Sequence, residues 1–107
     1  MTLFEIDILF QRDGQVQICT TKFYRPRSQT ERAYLQEAHR FQRWFVRDYG
    51  TPPKADEISI AFLIRYEQWL TVRFAPATIR RKRSAMRWFG GLLAILKLVP
   101  MDPFAVR

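Results

Sequence analysis

The first 24 residues alternate. Phe4, Ile6, Ile8 and Phe10 fall on one side of an extended chain, with Glu5, Asp7 and Gln11 on the other, the period of a half-buried strand. After Arg12-Asp13-Gly14 the alternation resumes with Val16, Ile18 and Thr20. A three-residue loop with Gly14 in the left-handed conformation predicts a β-hairpin with Phe10 opposite Val16 and Ile8 opposite Ile18. A lone hairpin is marginal in water, so its apolar face must cover helices or meet another chain.

Beyond the joint Arg25-Pro26-Arg27 the period becomes helical. Ser28-Gln29-Thr30-Glu31 fits a capping box, with Ser28 as N-cap and Glu31 reaching back to it. Tyr34, Ala38, Phe41 and Phe45 then share one stripe, and Gly50-Thr51-Pro52-Pro53 ends the helix. A second helix is predicted from Ser59, with Ile58 and Leu63 as a hydrophobic staple. Its apolar side is Phe62/Leu63, Tyr66 and Trp69/Leu70, reaching Phe74. A third opens with Ala75 as cap and Pro76 in the first position, and sends Ile79, Met86, Phe89/Gly90 and Leu93 to the core. Gly90 and Gly91 each cost a regular helix about 1 kcal/mol relative to alanine. They predict a bend, a break, or a close crossing by another backbone. Residues 92–99 are apolar all round, which demands burial or a partner.

The chain of 107 residues is 48 % hydrophobic, enough for one core of its own. Its charge is lopsided. Residues 1–57 hold nine Lys/Arg against eight Asp/Glu, whereas residues 58–107 hold nine against two, Glu67 and Asp102. A basic half with net charge +7 favours nucleic acid or an anionic membrane surface over a small-molecule substrate. One cysteine, Cys19, allows no internal disulfide and gives no metal-ligand spacing. Glu5 and Asp7 occupy the place of the basic region a signal peptide needs. The longest apolar run, residues 92–99, contains Lys97 and falls far short of the roughly 20 residues that span a bilayer. The expectation is a soluble, cytoplasmic protein without metal or cofactor.

Three motifs stand in order: Ser28-Gln29-Thr30 with Tyr34, Phe41 and Trp44/Phe45; a short helix around residues 62–70; and Ala77-Thr78-Ile79, Arg81, Ser84-Ala85-Met86-Arg87 and Phe89, closed by Asp102-Pro103. Together they resemble the core-binding (SAM-like N-terminal) domain of phage-integrase-type tyrosine recombinases, over about residues 28–104. The resemblance implies a mainly α fold, a bundle of about four helices forming half of a clamp around duplex DNA. In that family a separate C-terminal domain carries catalysis through two arginines, a lysine, histidines and a nucleophilic tyrosine. His39 is the only histidine here and no tyrosine sits in a nucleophile motif, so no catalytic residue is assigned. The chain would then end about where the family's interdomain linker begins. The expected organisation is a hairpin extension, 1–24, on a helical domain, 25–107.

The match has departures. Arg83 stands where the family is usually apolar, about 40° around the helix from Ile79. Gly90-Gly91 replaces an aromatic and a large residue, and the hairpin, with Glu5, Asp7 and Asp13 against Arg12 and Lys22, is too acidic for a DNA-binding arm.

Thr78, Arg81 and Lys82 match family positions that face the groove, and so do Thr30, Arg32 and Gln36 on the first helix. Arg25 and Arg27 can meet phosphates from the joint. Arg80, Arg83 and Arg87 form a second side, suited to phosphates or to acids such as Glu31 or Glu57. Guanidinium groups grip phosphate or a guanine edge bidentately. Arg40, Arg43 and Arg47 read as a solvated face, His39 as a surface residue, and Trp44, Trp69 and Trp88 as core or interface. The expected function is the non-catalytic DNA-binding module of such a recombinase, acting in DNA integration and site-specific recombination. Its partners would be double-stranded DNA and a catalytic domain or other protomers. The alternatives are a protein-interaction or regulatory module docking through residues 92–99 and the hairpin edge, and a binder of anionic membranes. Arg83 in the third helix's apolar line weakens the membrane reading.

Overall fold

The computed structural model describes residues 3–12 and 16–105, with the side chains of residues 11, 12 and 16–18 outside the description. Strands β1 (Phe4–Arg12) and β2 (Val16–Tyr24) form an antiparallel hairpin. Helices α1 (Gln29–Tyr49), α2 (Ile60–Thr71) and α3 (Pro76–Ile95) follow. The fold is thus mostly helical, with three helices among the described residues where about four were expected.

The hairpin register departs from expectation by two residues. Phe10 faces Ile18 and Ile8 faces Thr20, with Arg12 opposite Val16; Gly14 lies outside the described residues. An even shift keeps every side chain on its face; Phe10 still faces an apolar residue, Ile18, but Ile8 now faces Thr20. Ile6 lies opposite the exposed Lys22 and yet is fully buried. The helices, not β2, cover β1: Phe4, Ile6 and Ile8 share one core cluster with Leu35, Phe41, Met86 and Leu93. A radius of gyration of 13.6 Å, close to the roughly 13 Å expected for this length, places the hairpin down on the helices.

The outer edge of β1 is also covered. His39 Nε2 lies 3.0 Å from the Glu5 carbonyl and Gln42 Nε2 donates to the Asp7 carbonyl. Leu9 bonds the 53–55 segment both ways, its N–H to the Pro53 carbonyl and its carbonyl from the Ala55 N–H, each at 2.9 Å. An open strand edge invites pairing with other chains, and here it is closed from within. His39, expected at the surface, is half-buried as part of that strap, against Phe4 at 4.9 Å.

The helix ends follow the sequence. Ser28 Oγ accepts the Glu31 N–H at 3.1 Å, while the Glu31 carboxylate reaches one residue beyond Ser28 to the Arg27 N–H at 3.0 Å. Gly50, at φ 82°, returns its N–H to Val46. Ile58 and Leu63 flank the start of α2 as buried residues. Pro76 opens α3.

α3 runs unbroken through Gly90-Gly91. The reason is a crossing: a Cβ on Gly90 would collide with Asp102 Oδ1 and stand 3.2 Å from Phe104 Cβ. The turn that creates this crossing is a Schellman motif. Leu98 N–H bonds Leu93 O at 3.0 Å, Lys97 N–H bonds Ala94 O at 3.1 Å, and Lys97 takes the left-handed φ of 60°. Leu92, Leu93, Leu98 and Val99 are thereby buried in the chain's own core, leaving Ile95 exposed. Most of the run expected as a docking surface is therefore not available to a partner.

Candidate nucleic-acid interface

The four consecutive basic residues 80–83 divide into two pairs. Arg80 and Arg81 are exposed, with no carboxylate within ion-pair distance among the described residues. Lys82 is buried: its Nζ lies 2.6 Å from Glu37 Oε2 and 4.7 Å from the Phe74 ring centroid. Arg83 donates from Nε to Glu67 Oε1 at 2.6 Å, which holds its guanidinium pKa above the ordinary value. The expected groove-facing role of Lys82 is corrected by this placement. A residue 40° from Met86 on the wheel is drawn to the core flank, where only a paired ammonium is tolerated. The acid beside Arg83 is Glu67 and not Glu31 or Glu57, the acids suggested for that side; Glu57 accepts the Lys54 N–H.

Lys82 facing Glu37 and Trp88 facing Tyr34, at 5.7 Å between rings, show that α1 and α3 run antiparallel. Tyr24, at the end of β2, also packs on Trp88 at 6.1 Å. This aromatic knot fixes the joint that presents Arg25, Arg27 and Thr30, all exposed around the buried Pro26. Arg27 is loosely held by Glu31 at 3.7 Å. Glu31 has a lowered pKa, because it accepts the Arg27 N–H and then the Tyr24 hydroxyl at 2.8 Å. Tyr24 is raised, first by burial and then by that bond. Arg32 and Gln36 lie exposed on α1, Thr78 is half-buried, and Arg87 is exposed beside Trp88.

The assigned residues therefore form two groups. Arg25, Arg27, Thr30, Arg32 and Arg87 surround the aromatic knot. Thr78, Arg80 and Arg81 lie toward the opposite end of the antiparallel pair, with Gln36 between. Ala85, on the same side of α3 as Arg81, is fully buried, so that side is covered partway along.

A feature outside the expected site is a cleft of about 330 Å³ between α1 and the α2–α3 corner, rimmed by Arg40, Arg43 and Arg47. These arginines read as merely solvated in sequence, because Tyr66, Trp69, Leu70 and Phe74, which line the cleft together with Trp44 of α1, lie far along the chain. Among the described residues no group of three His, Cys, Asp or Glu is placed to hold a metal. No described helix is long and apolar enough to cross a membrane.

No family model, curated protein or solved structure matches this chain.

Proposed function

We propose that the chain is a non-catalytic DNA-binding module of the kind found as the core-binding domain of phage-integrase-type tyrosine recombinases. It would have that domain's SAM-like bundle and grip duplex half-sites beside a catalytic domain or other protomers. The observation that supports this most is the separation of cations on α3. Lys82 and Arg83 are neutralised by Glu37 and Glu67, whereas Arg80, Arg81 and Arg87 remain exposed without an acid among the described residues. Internal folding accounts for the first two only. Arg25 and Arg32 add charge at the joint and on α1 that meets no carboxylate within ion-pair distance among the described residues. In this reading phosphate contacts supply most of the affinity and carry its salt dependence.

The test is fluorescence anisotropy of a labelled short duplex at several salt concentrations. The expected affinity falls steeply with salt, and Arg81→Ala reduces the slope of log K against log salt by about 1. No binding at low salt, together with a stable oligomer indifferent to DNA, would overturn the reading in favour of a protein-interaction module. Lys82 is unsuited to this test, since its loss acts through the fold.

A further inference from the structure

The hairpin has one closed edge and one open edge. Leu9 bonds the 53–55 segment through both its N–H and its carbonyl, so the odd residues of β1 turn their backbone groups outward and the even ones bond β2. Ile6 pairs with Lys22 and Ile8 with Thr20. The even residues of β2 therefore bond β1, while Gln17, Cys19, Thr21 and Phe23 turn their N–H and C=O groups to the far side. The sheet has two strands, and among the described residues no other segment bonds that side.

Proteins blunt such edges with proline, bulges, charge or a covering element. β2 is nine residues long, paired without a bulge, free of proline, and carries a single charge, Lys22. Lys22 shares the face of Ile6, toward the helices, and is nevertheless exposed, so the helices do not overhang this edge. Cys19, Thr21 and Phe23 on the opposite face are exposed as well, Phe23 to 60 %. The edge is accessible from both faces.

We infer that β2 pairs with β2 of a second copy of this chain, antiparallel about a two-fold axis between the two Thr20 residues. In this register Gln17 meets Phe23 and Cys19 meets Thr21 of the other copy, so all four outward-turned residues are paired. Thr20 faces Thr20, a favourable cross-strand pair. Lys22 faces Ile18, and the two lysines stand about 14 Å apart along the strands, beyond a screening length of about 8–10 Å. No like charges oppose each other. The edges favour a second copy as the occupant. A lone peptide strand would leave its own far edge open. Two copies make a four-stranded sheet whose outer strands are both β1, each already strapped by His39, Gln42 and the 53–55 segment. The pairing also lifts the sheet above two strands, which are marginal in water. The inference is independent of the DNA-binding reading.

The experiment is sedimentation equilibrium of the whole chain under reducing conditions, followed by mild oxidation of cysteine variants. The expected species is a dimer. Cys19→Pro removes an outward N–H without touching the β1 ladder, and should lower the apparent mass from two chains to one. In a Cys19→Ser background, Thr20→Cys places two thiols directly opposite, with Cα atoms about 4.5 Å apart and within disulfide range. Phe23→Cys in the same background faces Gln17 instead. Thr20→Cys should give a covalent dimer and Phe23→Cys should not. A monomer at every concentration overturns the inference and leaves the edge to a strand of a different chain. A dimer that survives Cys19→Pro, or that cross-links no faster at position 20 than at position 23, overturns it by placing the contact elsewhere.

Discussion

Lys82 Nζ lies 2.6 Å from Glu37 Oε2, with both side chains more than nine-tenths buried. Glu37 also holds Arg40, so one carboxylate serves two cations. The pair joins α1 to α3 beneath the basic surface and keeps an ammonium inside that would otherwise be expelled.

The two halves of this pair are unequal. Glu37→Gln leaves Lys82 as a buried, uncompensated charge and should cost about 3–5 kcal/mol. Lys82→Met leaves Glu37 with Arg40 and should cost clearly less. Urea denaturation of both variants checks the order, and equal losses would contradict it.

The glycine pair on α3 should split in sign. Gly90→Ala must displace Asp102 and Phe104, and overpacking of this kind costs about 1–3 kcal/mol, more than the propensity gain. Gly91→Ala meets only Asp102 Oδ2 at 3.8 Å and should gain up to about 1 kcal/mol. Thermal melts of the two variants read the difference directly.

Lys97 occupies a left-handed position usually filled by glycine. Lys97→Gly removes the strain of about 1–2 kcal/mol, offset in part by the greater freedom of glycine in the unfolded chain. A small rise in melting temperature is expected, with duplex affinity little changed.

Glu31 links the joint to pH. Its folded pKa lies below the ordinary carboxylate value, because Arg27 N–H and Tyr24 donate to the charged form. Its contribution is therefore complete above the ordinary value and is lost as pH falls through the lowered one. Glu31→Gln should lower stability at neutral pH and flatten the acid limb of a stability–pH curve. An acid limb unchanged in Glu31→Gln would place the sensitivity elsewhere.

Arg81→Ala and Arg83→Ala should also part company. The exposed Arg81 should cost affinity and salt slope, whereas Arg83, held by Glu67, should change DNA binding little and stability by up to about 1 kcal/mol. Anisotropy and denaturation on the same two proteins separate the effects.

The sequence alone determined the elements and their ends: the alternation of β1, the Ser28 cap, the Gly50 stop, Pro76 at the start of α3, and which stripes turn inward. These are local, set by backbone geometry and periodicity. The tertiary structure decided what depends on a distant partner. It set the hairpin register two residues away from the expected one, with the helices burying Ile6 and Ile8 in either register. It left α3 continuous through Gly90, where Asp102 and Phe104 return so close that no Cβ fits. Glu37, 40° from Phe41 on its helix, was a legible signal that a cation must come to the core flank. That the cation is Lys82, 45 residues away, was not legible, since pairing energy depends on distance and burial that only the assembled fold supplies.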